Sequence, residues 1–346
     1  MKCFKVLSLC TALFGILATT NANASSDVQS PFKGKEIKIA HVRYLSQGDF
    51  PELYLKGVKR QAKALGFKLD IYDARQDASL QRTQLEQAIM KGYDGILLQH
   101  GFTDSLKDLS DMAVQNGIKI VAFDINAQNP EIPQINQDDN LIARLSLEQA
   151  IKDNGESWKA AYVYVPGIPP LDRRDEVFTE FKKTYPEIKE VARFGTLNNP
   201  IPNMIADQAA AVFRANPDVT VAFSPYDEFA KGIKIAVDEA GLSDRVKIYS
   251  ADISNSDIQA MREPNSAWVA TAATNPSIMG EVSVRALAML LNGDKVSAQI
   301  TVPPVLVTQK MLHDKNITNM ADLLKKMPEF STSKVLTPEW MPLPKN

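Results

Sequence analysis

Polar and aromatic side chains follow the strand-like apolar segments of this sequence, at the points where those segments end. They carry carboxylates, amides, guanidinium groups, hydroxyls and rings: Tyr44, Gln47, Asp49, Phe50, Gln99, His100, Asp124, Arg173, Arg174, Tyr226, Asp252, Thr274 and Asn275. In an open parallel sheet, ligands meet the loops beyond the carboxyl ends of the strands. A polyol needs such a set, because each buried hydroxyl both donates and accepts a hydrogen bond and an apolar ring face rests on an aromatic side chain. The residues therefore predict a site for a small polyhydroxylated molecule.

Each of these residues also has a simpler structural explanation. Asp49 is placed to cap a helix, and Asp124 is placed to start a turn. Arg173 and Arg174 have acidic neighbours, as exposed charge clusters commonly do, and Tyr226 is suited to a core. Their shared location after predicted strands favours the binding interpretation over any of these alone.

Signatures of enzymes and metal sites are missing from the sequence. The three histidines, His41, His100 and His313, are scattered and lack the spacing of metal ligands. There is no HExxH, no GxSxG, no P-loop and no glycine-rich dinucleotide fingerprint. A pair of carboxylates is still compatible with a secreted glycosidase-like enzyme, because sequence spacing does not give their separation across a cleft. We expect no catalysis, no metal and no cofactor.

Short apolar runs alternate with amphipathic segments from Glu36 onward. The predicted strands of the first half are 37–42, 67–72, 95–98 and 118–123, separated by helices at 51–65, 80–90 and 106–116. Their ends are roughly 25 residues apart, as repeated β-α units require. Residues 126–140 are rich in Asn, Gln, Pro and Asp, so we expect no regular structure there.

The same pattern then restarts. Strands are predicted at 160–165, 190–195, 219–223, 247–251 and 268–274, with helices at 142–151, 175–185, 204–215, 228–240, 257–262 and 278–291 and an apolar stretch at 300–307. Two consecutive β-α runs predict an α/β protein with two doubly wound parallel-sheet lobes. The polar tail, residues 314–346, is expected to wrap the surface without building a third domain.

The first 24 residues have the composition of a secretory signal peptide. Lys2 and Lys5 precede an apolar run that is shorter than the roughly 20 residues needed to span a bilayer, and cleavage is predicted after Ala24. Both cysteines, Cys3 and Cys10, lie in this leader. The formal net charge of −2 argues against nucleic acid and anionic membranes as partners. We therefore expect a soluble, exported protein without disulfides.

From Ile37 to Val307 the chain resembles the ribose-type periplasmic sugar-binding proteins of ABC importers. The resemblance lies in an ordered set of segments: IAHVRYLSQGDF at 39–50 with the residues before it, GYDGILL at 92–98, NGIKIVAFD at 116–124, NPDVTVAF at 216–223 and WVATAATNP at 268–276. It implies a type I periplasmic-binding-protein fold. LacI-like repressors share this body, but a leader stands where their helix-turn-helix would precede Glu36.

The resemblance also implies roles for individual residues. Asp124 matches the aspartate that hydrogen-bonds sugar hydroxyls, Arg174 matches a sugar-contacting arginine with Arg173 as the register alternative, and Phe50 matches a stacking aromatic. Asp252 matches an aspartate after a later strand. Tyr226, Thr274 and Gly48 depart from the residues common in the family, which points to a monosaccharide or polyol other than ribose.

Three hinge crossings follow from the same resemblance, near 137–138, 274–275 and 302–304. The N-terminal lobe would comprise 36–137 and 275–302, and the C-terminal lobe 138–274 and 303–313. The implied protein is a monomer that closes on its ligand and delivers it to the transmembrane subunits of an ABC permease. The alternative is a ligand-sensing adapter for a chemoreceptor or a histidine kinase.

Overall fold

The computed structural model describes residues 30–331 and 334–344, so the predicted signal peptide lies outside the described residues. Two six-stranded sheets organise this part of the chain. The first has the order β11-β5-β4-β3-β1-β2 and is parallel throughout. Its strands are β1 (Lys38–Arg43), β2 (Lys68–Asp73), β3 (Gly95–Gln99), β4 (Lys119–Phe123), β5 (Gln134–Gln137) and β11 (Gln299–Val302).

The second sheet has the order β12-β10-β9-β8-β6-β7. Its strands are β6 (Trp158–Val163), β7 (Ile188–Phe194), β8 (Val221–Ser224), β9 (Lys247–Ala251), β10 (Trp268–Ala273) and β12 (Val305–Thr308). All its pairs are parallel except the edge strand β12, which runs antiparallel to β10. Only Pro303 and Pro304 separate β12 from β11 in the other sheet, so it enters from the opposite direction without a crossover helix. The prediction of two α/β lobes is confirmed, with this one antiparallel exception.

Helices connect the strands in both sheets. They are α1 (Asp49–Leu65), α2 (Ala78–Met90), α3 (Thr103–Gln115), α4 (Asp139–Asn154), α5 (Pro169–Thr184), α6 (Ile201–Ala215), α7 (Asp227–Glu239), α8 (Asn255–Arg262) and α9 (Pro276–Asn292), followed by α10 (Gln309–Asp314), α11 (Met320–Lys326) and a 3₁₀ turn at Pro328–Phe330. No helix of the described ranges is long and apolar enough to cross a membrane.

The expectation of an irregular segment at 126–140 is wrong, because β5 and the start of α4 lie within it. Ile135 of β5 is fully buried, and the backbone of β5 pairs with β4 on one side and β11 on the other. The Asp124 amide donates to the Ile135 carbonyl at 3.0 Å. A strand held between two neighbours needs little apolar sequence of its own, which is why the polar composition was misleading.

Three connections join the sheets. They are Asp138 between β5 and α4, Thr274 and Asn275 between β10 and α9, and Pro303-Pro304 between β11 and β12. The helix after the second connection, α9, packs on α1 of the first lobe, where the Tyr54 hydroxyl donates to Ser283 Oγ at 2.7 Å. The lobe limits proposed from the sequence stay a prediction.

Helices α1 and α9 approach each other closely because glycine occupies both sides of the contact. A Cβ at Gly57 would lie 1.7 Å from the Ser277 carbonyl oxygen, and one at Gly280 would lie 2.1 Å from the Tyr54 carbonyl oxygen. Both obstacles are backbone atoms, which cannot rotate away. The contact sets the position of the start of α9, and therefore of one connection between the lobes.

We expect Gly280→Ala to lower the free energy of unfolding by about 1–3 kcal/mol, because the added methyl group forces α1 and α9 apart. Urea unfolding monitored by circular dichroism measures this change. Lys56→Ala, an exposed substitution on α1, is the control and should leave the stability within about 0.5 kcal/mol. Unchanged stability of Gly280→Ala would contradict the close-packing argument.

Candidate functional site

A cavity lies between the two sheets, at the edge where the strands of both end. It receives residues from both lobes. The lining residues are Leu45, Phe50, Pro51, His100 and Gln137 from the first lobe and Ile168, Pro170, Leu171, Arg174, Leu197, Tyr226 and Asp252 from the second. A cleft between two lobes at the carboxyl ends of their strands is the expected ligand position for this architecture.

Asp139, the first residue of α4, holds two arginines next to this cavity. Its Oδ2 atom accepts from Arg173 Nε at 2.8 Å and lies 2.6 Å from Arg173 Nη2. Its Oδ1 atom accepts from Arg174 Nε at 2.8 Å and lies 2.7 Å from Arg174 Nη2. Paired contacts of this kind fix both the position and the plane of a guanidinium group. One buried carboxylate therefore orients both arginines.

Arg173 and Arg174 lie on α5, and the sequence interpretation of 169–174 as a loop is wrong. Pro169 and Pro170 occupy the start of this helix. Proline suits the first helical turn, because its fixed φ angle matches the helix and its missing N–H would have no intrahelical partner there. The helix therefore begins several residues before the predicted position and carries Arg174 into the cavity wall.

Arg174 also links the arginine pair to Asp252. Its Nη1 atom donates to the Pro225 carbonyl at 2.6 Å and lies 3.5 Å from Asp252 Oδ2. Arg174 and Asp252 are both buried. A buried charge is stable only when it is paired and hydrogen-bonded, and Arg174 meets both conditions.

Asp124 lies directly behind the cavity wall. Its Oδ1 accepts from the Gln137 amide at 3.3 Å and its Oδ2 accepts from Gln137 Nε2 at 3.2 Å. His100 Nε2 and Arg173 Nη2 are each 3.7 Å from one of the two carboxylate oxygens. The Thr274 hydroxyl donates to Gln137 Oε1 at 2.7 Å, so Gln137 ties Asp124 to a connection between the lobes.

Burial dominates the proton affinities of the site. It raises the pKa of Asp124 to about 7, assisted by the negative charge of Asp139 and opposed by Arg173. Burial also raises the pKa of Asp252 to about 6, against the effect of Arg174. It lowers the pKa of His100 to about 3, together with Arg174, so the imidazole is neutral at pH 7. The neutral imidazole has one donor and one acceptor nitrogen.

Several polar atoms at this site have no hydrogen-bond partner within the described ranges. Three on the cavity wall also have no ion-pair contact: His100 Nδ1, Tyr226 Oη and Asp252 Oδ1. Gln99 Nε2 is a fourth, since this side chain uses Oε1 to contact His41 Nε2 at 2.8 Å. Buried polar groups are nearly always paired in native proteins. These donors and acceptors are therefore available to the hydroxyls of a ligand.

The other lining residues are apolar. They are Leu45, Phe50, Pro51, Ile168, Pro170, Leu171 and Leu197. The Phe50 ring stacks on Phe123 with a centroid distance of 6.2 Å and an interplanar angle of 11°. The lining of the cavity thus combines polar and apolar side chains.

Three residues of the site turn the chain at the ends of strands in the left-handed region. They are His100 after β3 (φ 53°), Asp124 after β4 (φ 50°) and Asp252 after β9 (φ 71°). Such backbone costs on the order of 1 kcal/mol for a residue other than glycine and is concentrated at functional sites. The three turns place imidazole and carboxylate groups at the edge of each sheet.

The structure brings some predicted residues to the cavity and not others. Phe50, His100, Arg174, Tyr226 and Asp252 line it. Gln99, Asp124, Arg173 and Thr274 are connected to it through the contacts described above. Tyr44 instead packs edge-on against Phe102, Gln47 is exposed, and Asn275 accepts from the Ser277 amide to cap α9.

Asp49 reaches from α1 across the cleft to the second lobe. Its Oδ2 atom accepts from Lys231 Nζ at 2.8 Å and from the Ser254 hydroxyl at 2.7 Å, and it also contacts the Ser256 hydroxyl. A second bridge joins Asn199 Nδ2 to Gln76 Oε1 at 3.1 Å. These contacts hold the two lobes together at the rim of the closed cleft.

The sequence interpretation missed Asp139, Gln137 and the apolar wall. The sequence does not single out Asp139, because the neighbouring Asp138 caps α4 by accepting from the Leu141 amide at 3.0 Å. A tandem Asp-Asp before a helix is the available signal, since one residue suffices for the cap. Leu171 and Leu197 have no sequence feature that separates them from core leucines.

The two hinged lobes and the polar cleft between them define a solute-binding protein. Residues 39–295 match the model of the periplasmic binding protein domain, and the chain belongs to this family. Membership implies a periplasmic location. Within the described ranges, no group of three or more His, Cys, Asp or Glu side chains is arranged to hold a metal ion.

The ribose import binding protein of Bacillus subtilis is 25% identical over 259 residues, which cover 74% of this chain and 82% of the relative. That of Escherichia coli is 24% identical over 314 residues, or 88% and 99% of the two chains. Among solved structures, the 5-methylthioribose transporter solute-binding protein of Thermotoga lettingae was determined in complex with 5-methylthioribose. It is 37% identical with a TM-score of 0.87, and the match covers 88% of this chain and 97% of that one. A sugar ABC transporter structure from Yersinia enterocolitica is 30% identical with a TM-score of 0.85, covering 88% and 93%.

These relatives are sugar-binding transport proteins, and the resemblance noted in the sequence is confirmed. The chain is a solute-binding protein that captures a monosaccharide or polyol between two lobes for an ABC permease.

We expect Asp139→Asn to destabilise the ligand-free protein by about 3–5 kcal/mol, because it leaves buried guanidinium charge without its carboxylate. Urea unfolding measures this loss. The matched control is the adjacent Asp138→Asn, since asparagine caps a helix about as well as aspartate. Equal stability of the two variants would show that Asp139 does not carry the arginine pair.

We expect Asp124 to contribute less to the stability of the ligand-free protein as the pH rises from about 4 to about 7. The folded protein keeps the Asp124 proton up to a pKa of about 7, whereas the unfolded chain releases it near its ordinary value of 3.8. Proton release from this group therefore favours unfolding increasingly across this window. In urea titrations at several pH values, the difference in stability between the parent and Asp124→Asn should change across the window, and the difference for the exposed Asp244→Asn should not. Parallel curves for Asp124→Asn and the parent would refute this assignment.

Proposed function

We propose that this protein captures a pentose with a small apolar substituent and presents it to the transmembrane subunits of an inner-membrane ABC permease. The ligand is released unchanged, and 5-methylthioribose is the representative compound. One observation carries this choice of ligand: the cavity is lined by both polar and apolar side chains.

The polar side chains suit the sugar ring. Arg174 supplies fixed donors, Asp252 supplies carboxylate oxygens, and the neutral His100 supplies a donor or an acceptor as the ligand requires. The unpartnered atoms of His100, Tyr226 and Asp252 need hydrogen bonds that ring hydroxyls can make. Three carboxylates already face the two arginines before the ligand enters, which disfavours an anionic ligand.

The apolar side chains of the lining suit a thioether or an alkyl group. A bare pentose would leave Leu171, Leu197 and Ile168 facing water or a hydroxyl without a partner. Burying a methylthio group there should stabilise the complex by about 1–2 kcal/mol, on the scale of 0.8 kcal/mol for each buried methylene. That energy corresponds to roughly a tenfold preference or more over the unsubstituted sugar.

The relatives support this order of preference. The Thermotoga lettingae protein, described in complex with 5-methylthioribose, shares more identity with this chain than the two ribose import proteins do. The match also covers 97% of the Thermotoga lettingae protein. The departures at Tyr226 and Thr274 are consistent with a ligand other than ribose.

The route to the periplasm and the closing motion belong to the same proposal. Residues 1–24 act as a signal peptide that is cleaved after Ala24, and the exported protein works as a monomer. The lobes 36–137 with 275–302 and 138–274 with 303–313 close on the ligand by differential affinity for the closed state. Bridging contacts from Asp49 to Lys231 and Ser254 favour closure at the rim.

Isothermal titration calorimetry with 5-methylthioribose and ribose tests the ligand. We expect 1:1 binding in which 5-methylthioribose is at least tenfold tighter. Leu197→Ser should reduce this ratio while changing ribose affinity little, because only the apolar wall is altered. Leu242→Ser, a partly buried leucine outside the cavity, is the matched control and should keep the ratio.

Two outcomes would contradict the proposal. Equal or tighter binding of ribose would remove the apolar substituent from the ligand but keep the sugar. Absence of binding heat with both compounds and with a panel of other pentoses, hexoses and alditols would show that the polar side chains do not form a sugar site.

A further inference from the structure

Four charged side chains of the second lobe meet at the rim of the cleft. They are Lys231, Asp227 and Glu228 on α7 and Asp257 on α8, and we call them the lysine cluster. Lys231 Nζ donates to Glu228 Oε1 at 2.6 Å and lies 3.4 Å from Asp257 Oδ1. The cluster therefore holds three carboxyl groups for one ammonium group without any contribution from the first lobe.

Two of these carboxyl groups are buried and incompletely paired. Asp227 and Asp257 are both inaccessible to solvent. Asp227 Oδ1 accepts from the Glu228 amide at 2.9 Å, whereas Asp227 Oδ2 and both oxygens of Asp257 have no hydrogen-bond partner within residues 30–331 and 334–344. Burial of an ionised carboxylate without such partners is unfavourable, so these positions favour a bound proton.

The first lobe adds a further carboxylate to the cluster in the closed cleft. Asp49 Oδ2 accepts from Lys231 Nζ at 2.8 Å, and the Asp49 amide donates to Glu228 Oε1 at 3.3 Å. Gly48 permits this close approach, because a Cβ there would lie 2.9 Å from Tyr226 Oη. Closing thus places four carboxyl groups around one ammonium group.

The charges around Asp257 determine the direction of the effect. Burial raises the pKa of Asp257 and the negative charge of Asp49 raises it further, whereas Lys231 opposes the rise. Burial also raises the pKa of Asp227 well above its ordinary value, together with Asp257 and against Lys231. The titratable and charged groups that face this pair are Asp49 on α1, Tyr226, Glu228 and Lys231 around the start of α7, and Asp252 after β9.

Asp49 itself stays ionised throughout the motion above about pH 5. Against the effect of burial, hydrogen bonds from Lys231, Ser256 and Ser254 lower its pKa from the ordinary value of 3.8. Its charge is therefore the same in the open and the closed form, and only its distance from the lysine cluster changes. A like charge brought close to Asp257 raises the proton affinity of Asp257.

We propose that closing of the cleft is coupled to uptake of a proton from solvent by the Asp227–Asp257 pair, through the arrival of Asp49. The inference rests on the proposed closing motion and does not depend on which sugar binds. Because the closed form binds this proton more tightly, the closed population grows as the pH falls. The apparent affinity for a ligand of the closed form then rises with that population.

Pulsed electron paramagnetic resonance on the ligand-free chain measures the open and closed populations. Spin labels are attached at Thr83→Cys on α2 and Asn203→Cys on α6, both exposed positions. These helices begin close to Gln76 and Asn199, whose side chains bond across the rim at 3.1 Å, so opening lengthens the distance between the labels. Both native cysteines are replaced by serine, and distances are recorded between about pH 5 and about pH 8.

We expect the ratio of closed to open chains to rise about threefold to tenfold as the pH falls across this range. Asp49→Asn should reduce the dependence, because the amide brings no charge to the lysine cluster. Asp257→Asn should reduce it by removing a proton acceptor. Glu52→Gln is the matched control, since Glu52 also lies in the first turn of α1 but contacts Arg43 of its own lobe, and it should behave like the parent.

The comparison between variants separates this effect from other titrating groups. Asp124 and Asp252 are present in the parent, in Asp49→Asn and in Glu52→Gln, so their contribution is common to all three. Equal pH dependence of Asp49→Asn and the parent, or an equal reduction in Glu52→Gln, would overturn the coupling. Opening and closing without any pH dependence would also overturn it. A single closed distance at every pH would reject the closing motion of the proposed function, and the coupling with it.

Asp49→Asn is the variant expected to fold normally, because the Asp49 side chain is 41% exposed. Circular dichroism checks the fold of every variant. If Asp257→Asn does not fold, the difference between Asp49→Asn and Glu52→Gln alone decides the outcome. All these measurements are made without ligand, so failure of the proposed sugar to bind leaves them readable.

Discussion

The balance of buried charge around Asp139 is the constraint on which the site depends. Three buried carboxylates, Asp124, Asp139 and Asp252, face two arginines. Asp139 uses both oxygens on the guanidinium groups, so it is the one carboxylate of the three that is fully neutralised by them. Burial raises the pKa values of Asp124 and Asp252, and the two arginines oppose this effect only in part. They are therefore strong acceptors for neutral hydroxyls and poor partners for another anion.

This balance requires elements that are distant in sequence. Asp139 begins α4, the arginines lie in the first turns of α5, and Asp124 and Asp252 follow strands of different sheets. The close α1–α9 contact and the Gln137–Thr274 bond keep the connections between lobes in register with these elements. The binding chemistry is thus a property of two lobes in their closed arrangement, and neither lobe holds the complete set.

The β-α alternation could be predicted from the sequence because each element carries its own hydrophobic period. The exceptions have physical reasons. β5 is stabilised by its neighbours, α5 is extended by a proline pair, and β12 is turned by a two-residue link. At the site, Asp124, Arg174 and Asp252 could be predicted because they follow buried strands or match a family position. Asp139 and the apolar wall could not, because capping aspartates and core leucines have the same local sequence as these functional residues. The sequence predicts that Asp49 contacts the ligand, whereas its carboxylate contacts Lys231 and Ser254 of the other lobe.

The left-handed backbone at His100, Asp124 and Asp252 has a consequence for how this cleft can change during evolution. Such a position favours glycine, asparagine, aspartate and histidine, because β-branched or bulky side chains are strained there. Exchange among the last three changes the hydrogen-bonding partners and keeps the side chain polar. Leu45, Leu171 and Leu197 lie under no such restriction. Adaptation to ligands of a new size should therefore occur by substitution of the leucines. The three left-handed positions should keep a narrow choice of residue types.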